Sequence, residues 1–150
     1  MVLHLLAIVT LGLMCGSELN VGAFAHPALN AQPLGVHVPV RASLAKLLGR
    51  VMPFWMATST LLNLALLPAF EGLKGTARRF ATIAFVIQLS AVLFSVIFPV
   101  PINNRIMQWT PATIPQNWQA QERRWDAFHL FRTVALIASF ILLTLSLAVR

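Results

Sequence analysis

The run FATIAFVIQLSAVLFSVIFPV, Phe80 to Val100, carries no charged side chain and no Gly or Pro before Pro99. A helix needs roughly 20 apolar residues, rising 1.5 Å each, to cross about 30 Å of hydrocarbon. The stretch therefore reads as a membrane span. Three further runs read the same way: Val2 to Phe24, Val51 to Phe70 and Phe128 to Val149. Pro53, Pro68 and Pro99 fall near run ends, where a missing N–H does least harm. The expected fold is all-α, one domain over residues 1–150. It is an integral membrane four-helix bundle with a short interfacial helix and a Pro/Trp-rich loop on one side.

Composition supports this frame. The chain is 58% hydrophobic and only 10% charged, with a mean hydropathy of +0.78, whereas a soluble domain carries about a quarter charged residues. A net charge of +7 would suggest nucleic acid in a soluble protein. Here the Lys and Arg residues stand singly or in pairs beside apolar runs, as membrane proteins place them. The lipid bilayer is thus the expected partner, and nucleic acid is not; self-association as a homo-oligomer stays open. Cys15 is the single cysteine, which excludes an internal disulfide and leaves helix packing as its role. Ala23-Phe24-Ala25 looks like a signal-cleavage site, but the apolar core is too long, no Lys or Arg precedes it, and Glu18 lies inside it. The first run is read as a retained span.

The short connection Gly72 to Arg79 carries Lys74, Arg78 and Arg79, the pattern of a cytoplasmic loop. Both termini would then be cytoplasmic, in a bacterial inner membrane. The long connections, His26 to Arg50 and Pro101 to Ala127, share the opposite side but hold Arg41, Lys46, Arg50, Arg105, Arg123 and Arg124, so the charge rule is nearly balanced. In the first of them, Leu44, Leu47 and Leu48 share a face away from Arg41, Lys46 and Arg50, which suits a short interfacial helix. Trp55, Trp109, Trp118 and Trp125 are expected at headgroup level.

Ionisable groups at membrane depth are costly and usually face a bundle interior or a cavity. Glu18 lies about 9 Å, six residues, from the looped end of the first span. His129 and Arg132 lie one and two turns into the fourth, with Trp55 and Ser59 at similar depth in the second and Ser95 in the third. Trp125, His129 and Arg132, at i, i+4 and i+7, form one stripe, adjoined by Glu122 and Asp126. Glu18 shares a face with Gly22, while His26 sits about 80° round at 3.6 residues per turn. Gly12 and Gly16 form a GxxxG surface for close helix approach. Asn63 and Gln88 could bond across the second and third spans.

Each residue has two readings. Glu18 is a functional carboxylate or a structural ion pair with Arg132. His129 is a base or ligand, or an interfacial histidine bonded to a carbonyl. His26 caps the first span or joins the site. Asn103 and Asn104, between prolines and Arg105, form a turn or point amides into a cavity mouth. His4 and His37 look peripheral.

The run Pro101-Ile102-Asn103-Asn104-Arg105-Ile106, then Trp118 and Arg124-Trp125 with His129 and Arg132, resembles the anthrone oxygenase-like family of small four-span membrane proteins. Gly16-Ser17-Glu18-Leu19 with His26-Pro27-Ala28-Leu29 is similar to that family's first span. The resemblance implies oxygenation of a polycyclic phenolic anthrone to an anthraquinone, with no evident flavin or haem. The absence of tyrosine excludes a Tyr acid or radical.

On this reading a lipophilic phenolic or quinol-like molecule enters from lipid and meets dioxygen. Its rings lie against Trp55 and Trp125 beside Ser59, with an oxygen near Arg132, Asn103 or Asn104. His129, oriented by Asp126 or Glu18, removes the proton. A second reading places a metal ion, iron, copper or zinc, on His129, Glu18 and His26. A third is a non-enzymatic protein binding lipid, quinone or a partner in the same cavity. The polar stretch from Pro99 to Arg132 is expected to turn over the bundle mouth as a lid and entrance.

Overall fold

The computed structural model describes residues 1–68 and 75–149. The end of the second apolar run and Lys74 lie outside these residues, and with them part of the connection that bears on orientation. The described chain is helical, with no strand among these residues.

Helix α1, Val2–Asn20, passes through a π-helical turn, Val21–Ala25, into α2, His26–Asn30. Helix α3 is Leu34–Leu66, α4 is Thr76–Ile97, α5 is Pro99–Ile106 and α6 is Trp118–Ala148. Helix α1 packs on α3 and α6, and α4 packs on α3 and α6, so the four long helices close into a ring. The apolar side chains point both ways: Leu11 and Leu136 are fully buried while Phe54 is 78% exposed. Polar Asn63 and Gln88 are also fully buried, and Asn63 donates to Gln88 at 2.9 Å, which in turn donates to Ser59 at 2.9 Å. An oily exterior over hydrogen-bonded interior polar groups is what lipid surroundings require.

Among the described residues, three helical segments are long and apolar enough to cross a membrane: Val2–Asn30, Thr76–Ile97 and Trp118–Ala148. Helix α3 is not among them. Arg41, Lys46 and Arg50 occupy its first half, leaving Val51–Leu66, short of the roughly 20 residues a span needs.

The looped end differs from expectation. No separate interfacial helix forms at 41–50; those residues are continuous with the second apolar run inside the 33-residue α3. A break of three residues, 31–33, replaces the long first connection. Pro33 precedes α3 as its N-cap, a place where a fixed φ suits a helix start. Helix α6 begins at Trp118, ten residues earlier than the apolar run, because the polar segment Trp118–Ala127 is itself helical. Asn103 and Asn104 lie within α5 and form no turn; Pro99 and Pro101 occupy its first turn, where their missing N–H groups cost nothing. Trp109 and Trp125 are 7% exposed and pack inward with Val21, Val38, Ala45, Ile102 and Ile106. This small second core ties α3, α5 and α6 together above the main one.

The GxxxG surface is half used. A Cβ on Gly12 would meet the Phe140 ring at 2.9 Å, but one on Gly16 would meet nothing within 4 Å among the described residues.

Candidate functional site

Glu18, His129 and Arg132, from α1 and α6, meet inside the bundle. Arg132 Nη2 donates to Glu18 Oε2 at 2.5 Å and to His129 Nδ1 at 3.0 Å. His129 Nε2 donates to the Glu18 backbone carbonyl at 2.9 Å, and its Nδ1 stands 3.1 Å from Glu18 Oε2. Glu18 is 2% exposed, His129 3% and Arg132 8%. The stripe spacing on α6 brings this about, since positions 129 and 132 share a face. Trp125, one turn earlier on the same stripe, stacks on His129 at 4.7 Å between centroids and 13° between planes.

A second cluster lies beside the first. Asp126 accepts from His26 Nδ1 at 3.1 Å and from Arg41 Nη2 at 3.0 Å. Arg41 Nε is 3.7 Å from Glu122 Oε1, and the guanidinium lies 5.0 Å over the Trp125 ring. His37 Nε2 contacts Glu122 Oε1 at 2.9 Å, and its Nδ1 contacts the Leu29 carbonyl at 3.1 Å. His37, Arg41 and Glu122 are all buried. His37 is therefore not peripheral, and Arg41 is not on an interfacial surface. Asp126 orients His26, not His129; the His129 ring is fixed by Glu18 and Arg132.

The π-helical turn explains the position of His26. With i→i+5 bonding a turn holds more residues, so each advances less round the axis. Five such residues bring His26 back toward the Glu18 face, from which regular α-helix would hold it about 80° away. Its ring then lies 4.9 Å from Trp125 and 6.2 Å from His129.

Glu18, His26, Arg41, Trp125, His129 and Arg132 line a cavity of about 270 Å³, just below the roughly 300–1,000 Å³ typical of small-molecule sites. Its apolar wall includes Met52, Pro53, Met56, Val92, Val96 and Pro99, and its polar wall Glu18, His26, Arg41, Asn103, Asn104, Trp125, His129 and Arg132. Pro53, inside α3, removes the backbone bond to the Gly49 carbonyl, and both residues border the cavity. Asn103 donates to the Ala45 carbonyl at 3.2 Å. Among the described residues Arg41 Nη1, Trp125 Nε1 and Glu18 Oε1 have no hydrogen-bond partner, an arrangement costly for buried polar atoms unless a guest completes it.

Trp55 and Ser59 do not line this cavity. The Trp55 indole donates to the Thr10 carbonyl at 3.1 Å, and Ser59 belongs to the Gln88 network. Among the described residues no group of three or more His, Cys, Asp and Glu is arranged to hold a metal ion. His129, Glu18 and His26 do not converge as a ligand set, since His129 Nε2 is turned to a carbonyl and His26 Nδ1 to Asp126.

Gly22 matters to the geometry. A Cβ there would lie 3.1 Å and 3.2 Å from His129 Cδ2 and Nε2. Gly22→Ala is expected to displace the ring and, after about 1 kcal/mol of helix-propensity gain, to destabilise by about 1 kcal/mol from overpacking. Gly16→Ala, with open space around it, keeps the propensity gain. Thermal unfolding of the two variants in detergent checks the contrast; equal shifts would mean that Gly22 does not constrain His129.

Compared with known proteins, residues 42–142 match the model of the family described as anthrone oxygenase, two thirds of the chain. No curated protein and no solved structure matches it.

Proposed function

The chain belongs to the anthrone oxygenase family, and from that premise we propose that it oxygenates an electron-rich, lipophilic phenolic or polycyclic substrate inside the membrane. What supports the reading is the cavity, with an apolar wall for fused rings and one polar wall that concentrates Glu18, His26, Arg41, His129 and Arg132. An apolar ligand held without chemistry would not require five ionisable groups at this depth.

The rings lie between the Met and Val side chains and the Trp125 indole. The substrate oxygen faces the unpartnered Arg41 and Trp125 donors, which stabilise the negative charge that develops there when a ring methylene loses a proton. A histidine takes that proton. The carbanion joins one atom of dioxygen, forming a carbon–oxygen bond and a hydroperoxide. Loss of the second methylene proton then breaks the O–O bond and expels water, leaving a ketone. One anthrone and one dioxygen thus give one anthraquinone and one water. Glu18 and Arg132 fix His129, and Asn103 and Asn104 border the entrance.

The test is oxygen uptake by the purified protein with anthrone, using isotopically labelled dioxygen. Expected are one dioxygen consumed per anthrone and one labelled atom in the new carbonyl. Uptake no faster than the autoxidation of anthrone in buffer would exclude the reading.

A further inference from the structure

His129 heads the α6 stripe, but both of its ring nitrogens are committed. Nε2 donates to the Glu18 carbonyl, and Nδ1 accepts from Arg132 with Glu18 Oε2 at 3.1 Å. No lone pair is left that a substrate C–H can reach. His26 is arranged differently. Its Nδ1 donates to Asp126 at 3.1 Å, Asp126 is itself held by Arg41, and Nε2 has no hydrogen-bond partner among the described residues. A carboxylate that fixes one imidazole nitrogen as N–H leaves the other as a directed base and stabilises the imidazolium once it forms.

The location fits. His26 is 5% exposed and lines the cavity described above. It also lines a second one of about 360 Å³ on the far side, bordered by Asp126, Asn30 and Thr133. Glu18, His26 and His129 form the partition between the two. The Asp126 side chain is 36% exposed, so the dyad joins the buried cavity to water. Around it stand Arg41 and Glu122 from α3 and α6, and Glu18, His129 and Arg132 across the partition.

Resting on the oxygenase reading, we infer that the His26–Asp126 dyad is the general base: His26 Nε2 accepts the substrate methylene proton, the C–H electron pair stays on the substrate carbon, and Asp126, remaining ionised, stabilises the imidazolium until Nε2 gives the proton to the oxygen that leaves as water. His129 is then a positioning residue. Its stacked ring and its bonds to Glu18 and Arg132 shape the wall without taking the proton.

The experiment separates this step from the reaction with dioxygen. Under anaerobic conditions in heavy water, the protein in lipid nanodiscs is mixed with anthrone, and exchange of the methylene hydrogens is followed by mass spectrometry. The wild type is expected to exchange faster than buffer alone. His26→Ala should lose ~10²–10⁴-fold, the usual contribution of a general base, and should recover part of it with added imidazole. Binding of anthraquinone, read by tryptophan quenching, should be retained. His26→Gln and Asp126→Asn serve as milder variants should the alanine protein misfold. Exchange at the wild-type rate in the His26 variants, or no exchange above buffer by the wild type, overturns the inference. A wild type that exchanges in a His26-dependent way but consumes no dioxygen overturns the oxygenase reading and leaves the base in place.

Discussion

Arg132→Leu is expected to destabilise the bundle by about 3–5 kcal/mol, the usual result of removing one partner from a buried ion pair. Arg132 Nη2 bonds both Glu18 and His129, so the change leaves a carboxylate that is 2% exposed without its cation. It also takes away the donor that holds His129 Nδ1. Pairing the substitution with Glu18→Gln removes the stranded charge, and the double variant should recover most of the loss, because replacing a whole buried pair costs far less than halving it. Chemical unfolding in mixed micelles, followed by tryptophan fluorescence, measures both. Equal stability of Arg132→Leu and wild type would show that Glu18 is neutral in the folded protein. A double variant no better than the single one would show that the guanidinium stabilises by packing alone.

That pair was legible in the sequence because depth was enough to find it. Counting 1.5 Å per residue from the looped ends puts Glu18, His129 and Arg132 at one height, and the i, i+3 and i+4 relations on α6 put Trp125, His129 and Arg132 on one face. Height does not fix the direction in which a helix turns its side chains. Trp55 and Ser59 sit at the right depth, yet α3 aims them at Thr10 and Gln88. Periodicity within one helix cannot fix that rotation; the neighbours do.

The second cluster was obscured for a different reason. Arg41 and Lys46 broke the apolar pattern, and so a connection was expected where α3 already runs. Polar residues of the helices there pair with each other across α2, α3 and α6. The signal that could have exposed it was the matching set of charges, Arg41 and His37 on one segment against Glu122 and Asp126 on the other. The π-helical turn at Val21–Ala25 has no signature in spacing, so the position of His26 could not be obtained by counting at 100° per residue. Composition alone points Trp109 and Trp125 to the headgroups. Instead, the short α5 and the polar start of α6 give them an apolar pocket of their own.

Arg41→Met is expected to cost less, about 1–3 kcal/mol, because the Asp126 carboxylate it leaves is 36% exposed and screened by solvent, and it acts through different partners. Asp126 loses the bond at 3.0 Å and keeps only His26, whereas Glu122 keeps His37 at 2.9 Å. The stranded group is therefore Asp126, and Asp126→Asn in the same chain should restore stability where Glu122→Gln does not. Met fills comparable space and retains the apolar stem, so the loss reports the charge and the contact at 5.0 Å over Trp125. Arg41→Lys should recover only part of it, because a single ammonium cannot contact two carboxylates and lie flat on an indole at once. Unfolding in detergent across these four variants decides the matter. If Glu122→Gln rescued Arg41→Met as well as Asp126→Asn does, Arg41 would be balancing the summed charge of the cluster. If only Asp126→Asn rescues, Arg41 holds Asp126 specifically. The orientation of His26 then rests on a residue from α3 that never touches it.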